Sequence, residues 1–168
     1  MAETDVSTYS FDDLEIRDEL LRGVYAYGFE KPSPIQKTAV PTMVAETKAG
    51  ERRDIIAQAQ SGTGKTGAFT VSTLQIIEEN ESKTQALILA PTHELANQIC
   101  ACVNDLGRYL KITVQLLVGG TSVDKDKEKL DNDPPQIVVG TPGRVHDMIR
   151  RKYLKVSDLK VLVLDEAD

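Results

Sequence analysis

Five short apolar runs, separated by longer amphipathic stretches, most constrain how this chain can fold. The runs are mostly apolar rather than alternating, as is typical of strands covered on both faces. The stretches between them, such as 65–79 and 94–110, have the length and period of helices. This alternation predicts an α/β fold with a parallel sheet. The predicted strands are 55–59, 86–90, 114–118, 137–139 and 161–164.

Two amphipathic helices are predicted ahead of the first run. The second begins with Ser33 as its N-cap and Gln36 in the capping-box position, and it runs to about residue 45. The first has Asp12 and Asp13 as candidate caps and ends at Gly28. Its apolar residues at helical spacing are Leu20, Leu21, Val24 and Tyr27.

Size and charge limit the functions that the chain can have. With 168 residues, 40% of them hydrophobic and 27% charged, it has the composition of one soluble globular domain. No apolar run approaches the roughly 18 residues that span a bilayer, so we expect no membrane segment. The net charge of −6 argues against a broad basic face, so any RNA is expected to bind through a few local contacts. Cys100 and Cys102 have neither zinc nor redox spacing and receive no function.

A glycine-rich loop follows the first predicted strand. Residues 59–66 match the phosphate-binding pattern G-x-x-x-x-G-K-[ST] except that Ala59 replaces the first glycine. Its glycines allow backbone N–H groups to turn toward a phosphate, and the helix that follows directs its positive dipole end to the same place. This pattern predicts that Lys65 reaches the β and γ phosphates of a nucleotide, with a Mg²⁺ ion held in part by the Thr66 hydroxyl. The residues assigned to the nucleotide are Ser61, Gly62, Thr63, Gly64, Lys65 and Thr66.

Three carboxylates follow the last predicted strand, at Asp165, Glu166 and Asp168. A buried strand that ends in this way indicates a bound cation. We expect Asp165 to hold Mg²⁺ through water and Glu166 to polarise the water that attacks the γ-phosphate. An acidic surface turn without a ligand is the alternative.

With these two sites in place, residues 11–168 resemble the DEAD-box family of RNA helicases. Residues 28–36 read Gly-Phe-Glu-Lys-Pro-Ser-Pro-Ile-Gln, and Phe11 precedes them at the interval of the family's first motif. The resemblance implies that Gln36 reads the adenine edge, that Lys31 lies along the nucleotide and that Phe29 packs near the base. A capping role alone is the alternative for Gln36. The resemblance also implies a RecA-like parallel sheet flanked by helices, the fold of phosphate-loop NTPases.

Three further stretches resemble family elements that hold single-stranded RNA. Each follows a predicted strand and leads into a helix or turn, so its N–H groups and hydroxyls suit phosphates rather than bases. We therefore expect RNA binding without sequence specificity. The candidate residues are Pro91, Thr92, His93, Glu94, Gly119, Gly120, Thr141, Pro142, Gly143 and Arg144.

Two residues depart from the family pattern. His93 stands where the family has arginine, and a neutral imidazole has one donor in place of five, so we expect a weaker grip on RNA phosphate. His146 stands where the related subgroup has phenylalanine, and we expect altered packing there.

The resemblance divides the chain into a flexible N-terminus over 1–10, a Q-motif region over 11–36 and a helicase ATP-binding domain over 37–168. The family's Ser-Ala-Thr strand and its second RecA-like domain are not in this sequence. We therefore expect a C-terminally incomplete domain with a gap in the centre of its sheet. Residues 21–30, 57–60 and 138–140 resemble a subgroup that acts in translation initiation, with the exon-junction paralogue as the alternative.

The implied function is ATP-dependent unwinding of RNA, with catalytic roles for Glu166, Lys65 and Asp165 and with Mg²⁺ as cofactor. The implied partners are single-stranded RNA and a translation-initiation scaffold protein, bound by a monomer in the cytoplasm or the nucleus. Two other classes stay open. Another phosphate-loop enzyme, such as a nucleotide kinase or GTPase, gives no reason for the Gln36 motif. A non-catalytic fragment would bind nucleotide or RNA and turn nothing over.

Overall fold

The computed structural model describes residues 9–60, 62 and 64–167, which form a parallel sheet with helices on both faces. The strands are β1 Ala86–Leu89, β2 Val114–Leu117, β3 Ile137–Gly140 and β4 Val161–Leu164. The helices are α1 Asp18–Tyr27, α2 Pro34–Val44, α3 Lys65–Ile76, α4 His93–Leu106, α5 Val123–Asn132 and α6 Pro142–Arg150. Every strand pair is parallel, and the order across the sheet is β2-β3-β1-β4.

Alternate residues of the strands fill two apolar layers. Ala86 and Ile88 of β1 pack in a cluster with α1, α2, α3 and α4. Leu87 points to the other face and packs with Val145 and Met148 of α6. Burial on both faces explains why β1 and β3 carry unbroken apolar runs. The predicted α/β fold and four of its five strands are confirmed.

Local caps explain where several helices begin. The Ser33 hydroxyl accepts from the Gln36 N–H at 3.4 Å, and the Gln36 side chain accepts from the Ser33 N–H at 3.0 Å. This is the capping box predicted for α2. Thr92 and Ser122 cap α4 and α5 through their side-chain oxygens.

The predicted capping role of Asp12 and Asp13 in the first helix is wrong. Both residues belong to a separate 3₁₀ helix, Phe11–Leu14, in which Asp13 and Ser10 form their own capping box. Glu15 then adopts a left-handed conformation, with φ of 55°, and ends that turn. The α1 helix starts only at Asp18.

Two predicted helices end earlier than expected. The α3 helix stops at Ile76 rather than at residue 79, because the buried Gln85 amide binds the main chain just beyond it. Gln85 Oε1 accepts from the Glu78 N–H at 2.7 Å, and Nε2 donates to the Glu78 carbonyl at 2.9 Å. The α4 helix stops at Leu106, where Gly107 follows as its C-cap.

The predicted strand 55–59 is not formed. The segment has no strand partner among the described residues, and Ile56 is 96% exposed. An open cleft of about 1040 Å³, lined by residues 52–60 and by β4, separates the two. An extended segment forms a strand only when a neighbouring strand lies about 4.8 Å away, close enough for backbone hydrogen bonds. The expected gap in the sheet therefore appears as this cleft, with β4 as an edge strand.

The uncovered edge exposes apolar side chains. Leu162 and Leu164 of β4 are 57% and 56% exposed, whereas Val161 and Val163 pack on the first cluster. Among the described residues, no helix is long and apolar enough to cross a membrane.

Candidate nucleotide and RNA site

The phosphate loop enters α3 through two glycines. Gly62 has φ of 81° and Gly64 has φ of 97°, a region that residues with a Cβ rarely adopt. Lys65 is the first residue of α3, so the positive end of the helix dipole faces the loop. This geometry agrees with the predicted phosphate site. Ser61 and Thr63, also assigned to the nucleotide, lie outside the described residues.

Gln36 connects the α2 capping box to the phosphate loop. Its side chain is 4% exposed, and besides bonding Ser33 it donates from Nε2 to the Gly64 carbonyl at 3.3 Å. A Cβ on Gly64 would lie 2.5 Å from Ser33 Oγ, and a Cβ on Gly67 would lie 2.6 Å from Gln36 Nε2. Glycine at both positions therefore lets α2 and α3 begin side by side. The predicted capping role of Gln36 is confirmed, and its role in reading adenine stays a prediction.

The aromatic residues of the N-terminal region pack beside this amide. The rings of Phe11 and Phe29 are stacked with centroids 5.9 Å apart, and Tyr27 meets Phe29 edge-on at 4.9 Å. A Cβ on Gly67 would lie 3.3 Å from the Phe29 ring. Phe29 is thus positioned against the first turn of α3, while Lys31 is exposed nearby in the chain.

The carboxylates after β4 face the same cleft as the loop lysine. The Asp165 N–H donates to the Leu89 carbonyl at 3.0 Å and so extends the ladder past the end of β4. The Glu166 N–H donates to Asp165 Oδ1 at 3.0 Å. Asp165, Glu166 and Lys65 all line the cleft of about 1040 Å³. The three residues predicted to be catalytic therefore line one cleft, whereas Asp168 lies outside the described residues.

The oxygen donors near the loop suit Mg²⁺ only together with phosphate. Thr66 in the first turn of α3 and Asp165 at the end of β4 are both half-buried. Across the described residues, no group of three or more His, Cys, Asp or Glu side chains could hold a metal ion. Mg²⁺ commonly uses one or two carboxylates together with substrate phosphates. A Mg²⁺ ion held by Thr66 and Asp165 in this way stays a prediction.

The three candidate RNA stretches lie at the carboxyl edge of the sheet. The Ala90 N–H donates to the Gly140 carbonyl at 3.0 Å, and the Thr141 N–H donates to the Leu117 carbonyl at 3.0 Å. These bonds join the ends of β1, β3 and β2, so the loops that follow the strands are neighbours. The exposed members of the stretches are Pro91, Thr92, His93, Glu94, Gly119, Gly120, Pro142 and Gly143.

The two histidines that depart from the family pattern are both on the surface. His93 is the first residue of α4, where it is exposed at the positive end of the helix. His146 is exposed on α6. The packing change expected at His146 is therefore wrong, because its side chain does not enter the core.

Arg144 is the candidate whose surroundings differ most from the prediction. Its guanidinium faces Asp126 and Thr121 of the same chain. Sequence reasoning missed Asp126, because α5 carries many charges and only this one is buried, at 7% exposure. The available signal was its spacing of four from the buried Leu130, which places both on the inner face of α5.

Both cysteines lie on α4, Cys102 buried and Cys100 half-buried. Burial raises the pKa of both the Cys100 and the Cys102 thiols above the ordinary value. A protonated, partly buried thiol is a poor nucleophile and a poor metal ligand.

Comparison with known proteins identifies the family. The sequence model of the DEAD/DEAH box helicase family matches residues 33–168. The chain belongs to this family. Its parallel sheet with flanking helices is the RecA-like fold predicted from the sequence.

Curated relatives agree with the assignment to the DEAD-box family. The chain is 52% identical to "ATP-dependent RNA helicase eIF4A" of Pyricularia oryzae over 98% of its own length and 40% of that protein. It is 53% identical to the protein of the same name in Candida albicans, over 95% of its length and 38% of the relative. The chain thus spans about two fifths of the length of these relatives.

Solved structures of a DEAD-box helicase have the same fold. Saccharomyces cerevisiae Dbp5 bound to RNA and ADP BeF3 is 43% identical and superimposes with a TM-score of 0.84, over 94% of this chain and 38% of that chain. The same helicase with the L327V substitution, bound to nup159, gle1 h337r, ip6 and adp, is 42% identical with a TM-score of 0.81, over 91% of this chain and 38% of that chain.

Proposed function

We propose that this DEAD-box domain binds ATP with Mg²⁺ and single-stranded RNA, and that it acts in ATP-dependent RNA unwinding. The observation that carries the proposal is that Lys65 of the phosphate loop and the carboxylates Asp165 and Glu166 line the same cleft. The Gln36 amide, bonded to the Gly64 carbonyl of that loop, adds a group that suits an adenine edge.

Each of the assigned residues has a separate task in this proposal. Lys65 contacts the β and γ phosphates, and Glu166 accepts a proton from the attacking water. Thr66 and Asp165 hold Mg²⁺, which when bound neutralises charge on the phosphate oxygens. Gln36 selects adenine, with Phe29 packed beside it and Lys31 along the nucleotide.

RNA binding in this proposal uses backbone groups at three strand ends. The N-termini of α4 and α6 and the turn at Gly119 and Gly120 present N–H groups and hydroxyls, which favour phosphate contacts over base contacts. We propose binding without sequence specificity for that reason. The weaker grip expected from His93 remains part of the proposal.

The biological setting rests on the resemblance to eIF4A proteins. We propose a role in translation initiation, with a scaffold protein of that process as partner, as a monomer in the cytoplasm or the nucleus. The proposed division is a Q-motif region over 11–36 and an ATP-binding domain over 37–168; most of the N-terminus predicted over 1–10 lies outside the described residues.

Glu166→Gln tests the catalytic part. The variant should bind ATP as the wild type does and should lose about 10²–10⁴-fold in turnover, which is the usual contribution of a general base. Nucleotide binding and phosphate release are measured with and without single-stranded RNA. Glu19→Gln, an exposed acid on α1, is the matched control and should change neither. Equal turnover in the wild type and Glu166→Gln would refute the assignment.

Binding without turnover is the second candidate function. The exposed segment 53–60 and the open cleft beside β4 favour it, because a catalytic site must hold its groups in fixed positions and exclude water. ATP and RNA binding by the 168-residue chain, with no RNA-stimulated phosphate release, would support this candidate.

A further inference from the structure

Arg144 forms a buried ion pair at the carboxyl edge of the sheet. Its Nη1 donates to Asp126 Oδ2 at 2.8 Å and to Thr121 Oγ1 at 2.9 Å, and its Nη2 donates to the Thr121 carbonyl at 2.9 Å. The side chains of Arg144 and Asp126 are each 10% exposed. In the other ion pairs between described residues, both side chains are at least 26% exposed.

The partners of Arg144 are themselves held in place. Thr121 Oγ1 lies 3.0 Å from the Val118 carbonyl and 3.2 Å from Asp126 Oδ2. The Asp126 carbonyl accepts from Gln115 Nε2 of β2 at 3.1 Å. The three side chains Thr121, Asp126 and Arg144, which we call the Arg144 clasp, therefore connect α6 and α5 across the turn that contains Gly119 and Gly120.

The buried ion pair argues against Arg144 as a direct ligand of RNA phosphate. Removing both charges from water costs free energy, which the bonds between them offset only if the geometry is kept. Arg144 already directs three hydrogen bonds to Thr121 and Asp126. A phosphate that took the guanidinium would leave the buried Asp126 carboxylate without its cation, which is strongly unfavourable.

We propose that Arg144 is a positioning residue for RNA, acting through the clasp rather than through a phosphate contact of its own. The clasp fixes the turn at Gly119 and Gly120 relative to the N-terminus of α6, so that the backbone N–H groups of both bind one RNA strand in register. This inference rests on the proposed RNA function and names the residues that arrange its site. Asp126 is then as important for RNA binding as Arg144, although an acidic side chain does not itself attract RNA phosphate.

The sign of the Asp126→Asn effect separates the two roles of Arg144. If Arg144 binds phosphate directly, Asp126→Asn frees a guanidinium, and RNA affinity stays equal or rises. If the clasp positions the turn, Asp126→Asn weakens RNA binding about 3- to 30-fold, as Arg144→Gln does. The double variant should then be no weaker than either single variant, because both remove the same unit.

Salt dependence and the lysine variant provide independent readouts. Loss of one phosphate contact to a single strand lowers the slope of log affinity against log salt by about 0.7, whereas the positioning role leaves the slope of Arg144→Gln unchanged. Arg144→Lys keeps the charge but has one nitrogen, which cannot bond Asp126 and the Thr121 carbonyl as the guanidinium does. The positioning role predicts that Arg144→Lys binds RNA as weakly as Arg144→Gln.

The experiment uses the 168-residue chain and a fluorescent decauridylate, with affinity measured by anisotropy at several salt concentrations. Hydrogen exchange of the turn amides at Gly119 and Gly120 is measured without RNA, and it should be faster in Asp126→Asn and Arg144→Gln. Asp147→Asn breaks an exposed ion pair on the same α6 helix and is the matched control. It should change neither RNA affinity nor exchange.

Either of two results with the buried-pair variants would overturn the clasp. One is RNA affinity in Asp126→Asn equal to or above that of the wild type; the other is a salt slope lowered by about 0.7 in Arg144→Gln. If the variants of Asp126 and Arg144 fail to fold, Thr121→Val is the substitute, because it removes one acceptor of Arg144 at an exposed position. It should weaken RNA binding about 2- to 10-fold. Unchanged RNA affinity of Thr121→Val would also overturn the clasp. A wild-type chain that binds no decauridylate would refute the proposed RNA function itself, and the clasp's role with it.

Discussion

Replacing Gln36 by alanine separates a structural role from a nucleotide-binding role in the same side chain. In the structure Gln36 makes one bond to the Ser33 N–H and one to the Gly64 carbonyl, at 3.0 Å and 3.3 Å. Loss of the capping bond destabilises the fold by about 1 kcal/mol. The longer bond to Gly64 adds about 0.5–1 kcal/mol, so Gln36→Ala should lower the free energy of unfolding by about 1–2 kcal/mol.

The effect of Gln36→Ala on nucleotide binding differs in size from its effect on stability and has its own control. A bidentate amide contact to adenine contributes about 1–3 kcal/mol, so Gln36→Ala should weaken ATP binding about 5- to 150-fold. Binding of GTP should not change, because the amide does not match the guanine edge. Ser33→Ala removes the other half of the capping box and leaves the Gln36 amide in the chain. It should cost about 1 kcal/mol of stability and leave ATP affinity within about twofold.

The assay combines urea unfolding with titration calorimetry of ATP and GTP on the wild type, Gln36→Ala and Ser33→Ala. Nucleotide affinities are measured under conditions in which all three are more than about 95% folded, which a stability above about 2 kcal/mol provides. The nucleotide role of Gln36 is refuted if Ser33→Ala weakens ATP binding as much as Gln36→Ala does, because the Gln36 amide would then act only through the capping box. It also fails if GTP and ATP affinities fall together.

Three further changes have defined outcomes. Gly23→Ala should destabilise the fold by about 1–3 kcal/mol in urea unfolding, because its Cβ would lie 2.0 Å from the Leu106 carbonyl oxygen; unchanged stability would mean that α1 and α4 are less tightly packed. His93→Arg should tighten RNA binding by about 1.5–3 kcal/mol at fixed salt if a charged bond to phosphate is gained, and no gain would contradict the predicted weak grip. The double change of Leu162 and Leu164 to lysine should leave the free energy of unfolding within about 0.5 kcal/mol, because both side chains are exposed on an edge strand. A larger loss in urea unfolding would show that these side chains contribute to packing.

The parts of the fold that were predicted correctly depend on short-range patterns. The α2 capping box needs only Ser33 and Gln36, three residues apart, and the strands within the sheet carry their own apolar runs. The helix ends were less predictable, because α3 is ended by the distant Gln85. The strand order β2-β3-β1-β4 depends on long-range pairing, which periodicity does not report.

The site was predictable to the extent that its residues occur in consecutive motifs. Lys65, Asp165 and Glu166 were assigned from such motifs, and the structure brings them into one cleft. Asp126 could not be assigned in this way, because its role comes from contact with Arg144, 18 residues further along the chain. A motif identifies which residue types are present, but the direction of the Arg144 guanidinium depends on the packing of α5 against α6.

Residues 55–59 show why an apolar run is weaker evidence for a strand than a capped sequence is for a helix. A helix satisfies its N–H and C=O groups within one segment, so Ser33, Thr92 and Ser122 can define helix starts locally. A strand satisfies those groups only through its neighbour, and across the cleft from 55–59 the edge of β4 is not within ladder distance. The same apolar side chains that predict burial are therefore left exposed, with Ile56 on one side of the cleft and Leu162 on the other. A segment paired in parallel with β4 would satisfy the N–H and C=O groups along that edge.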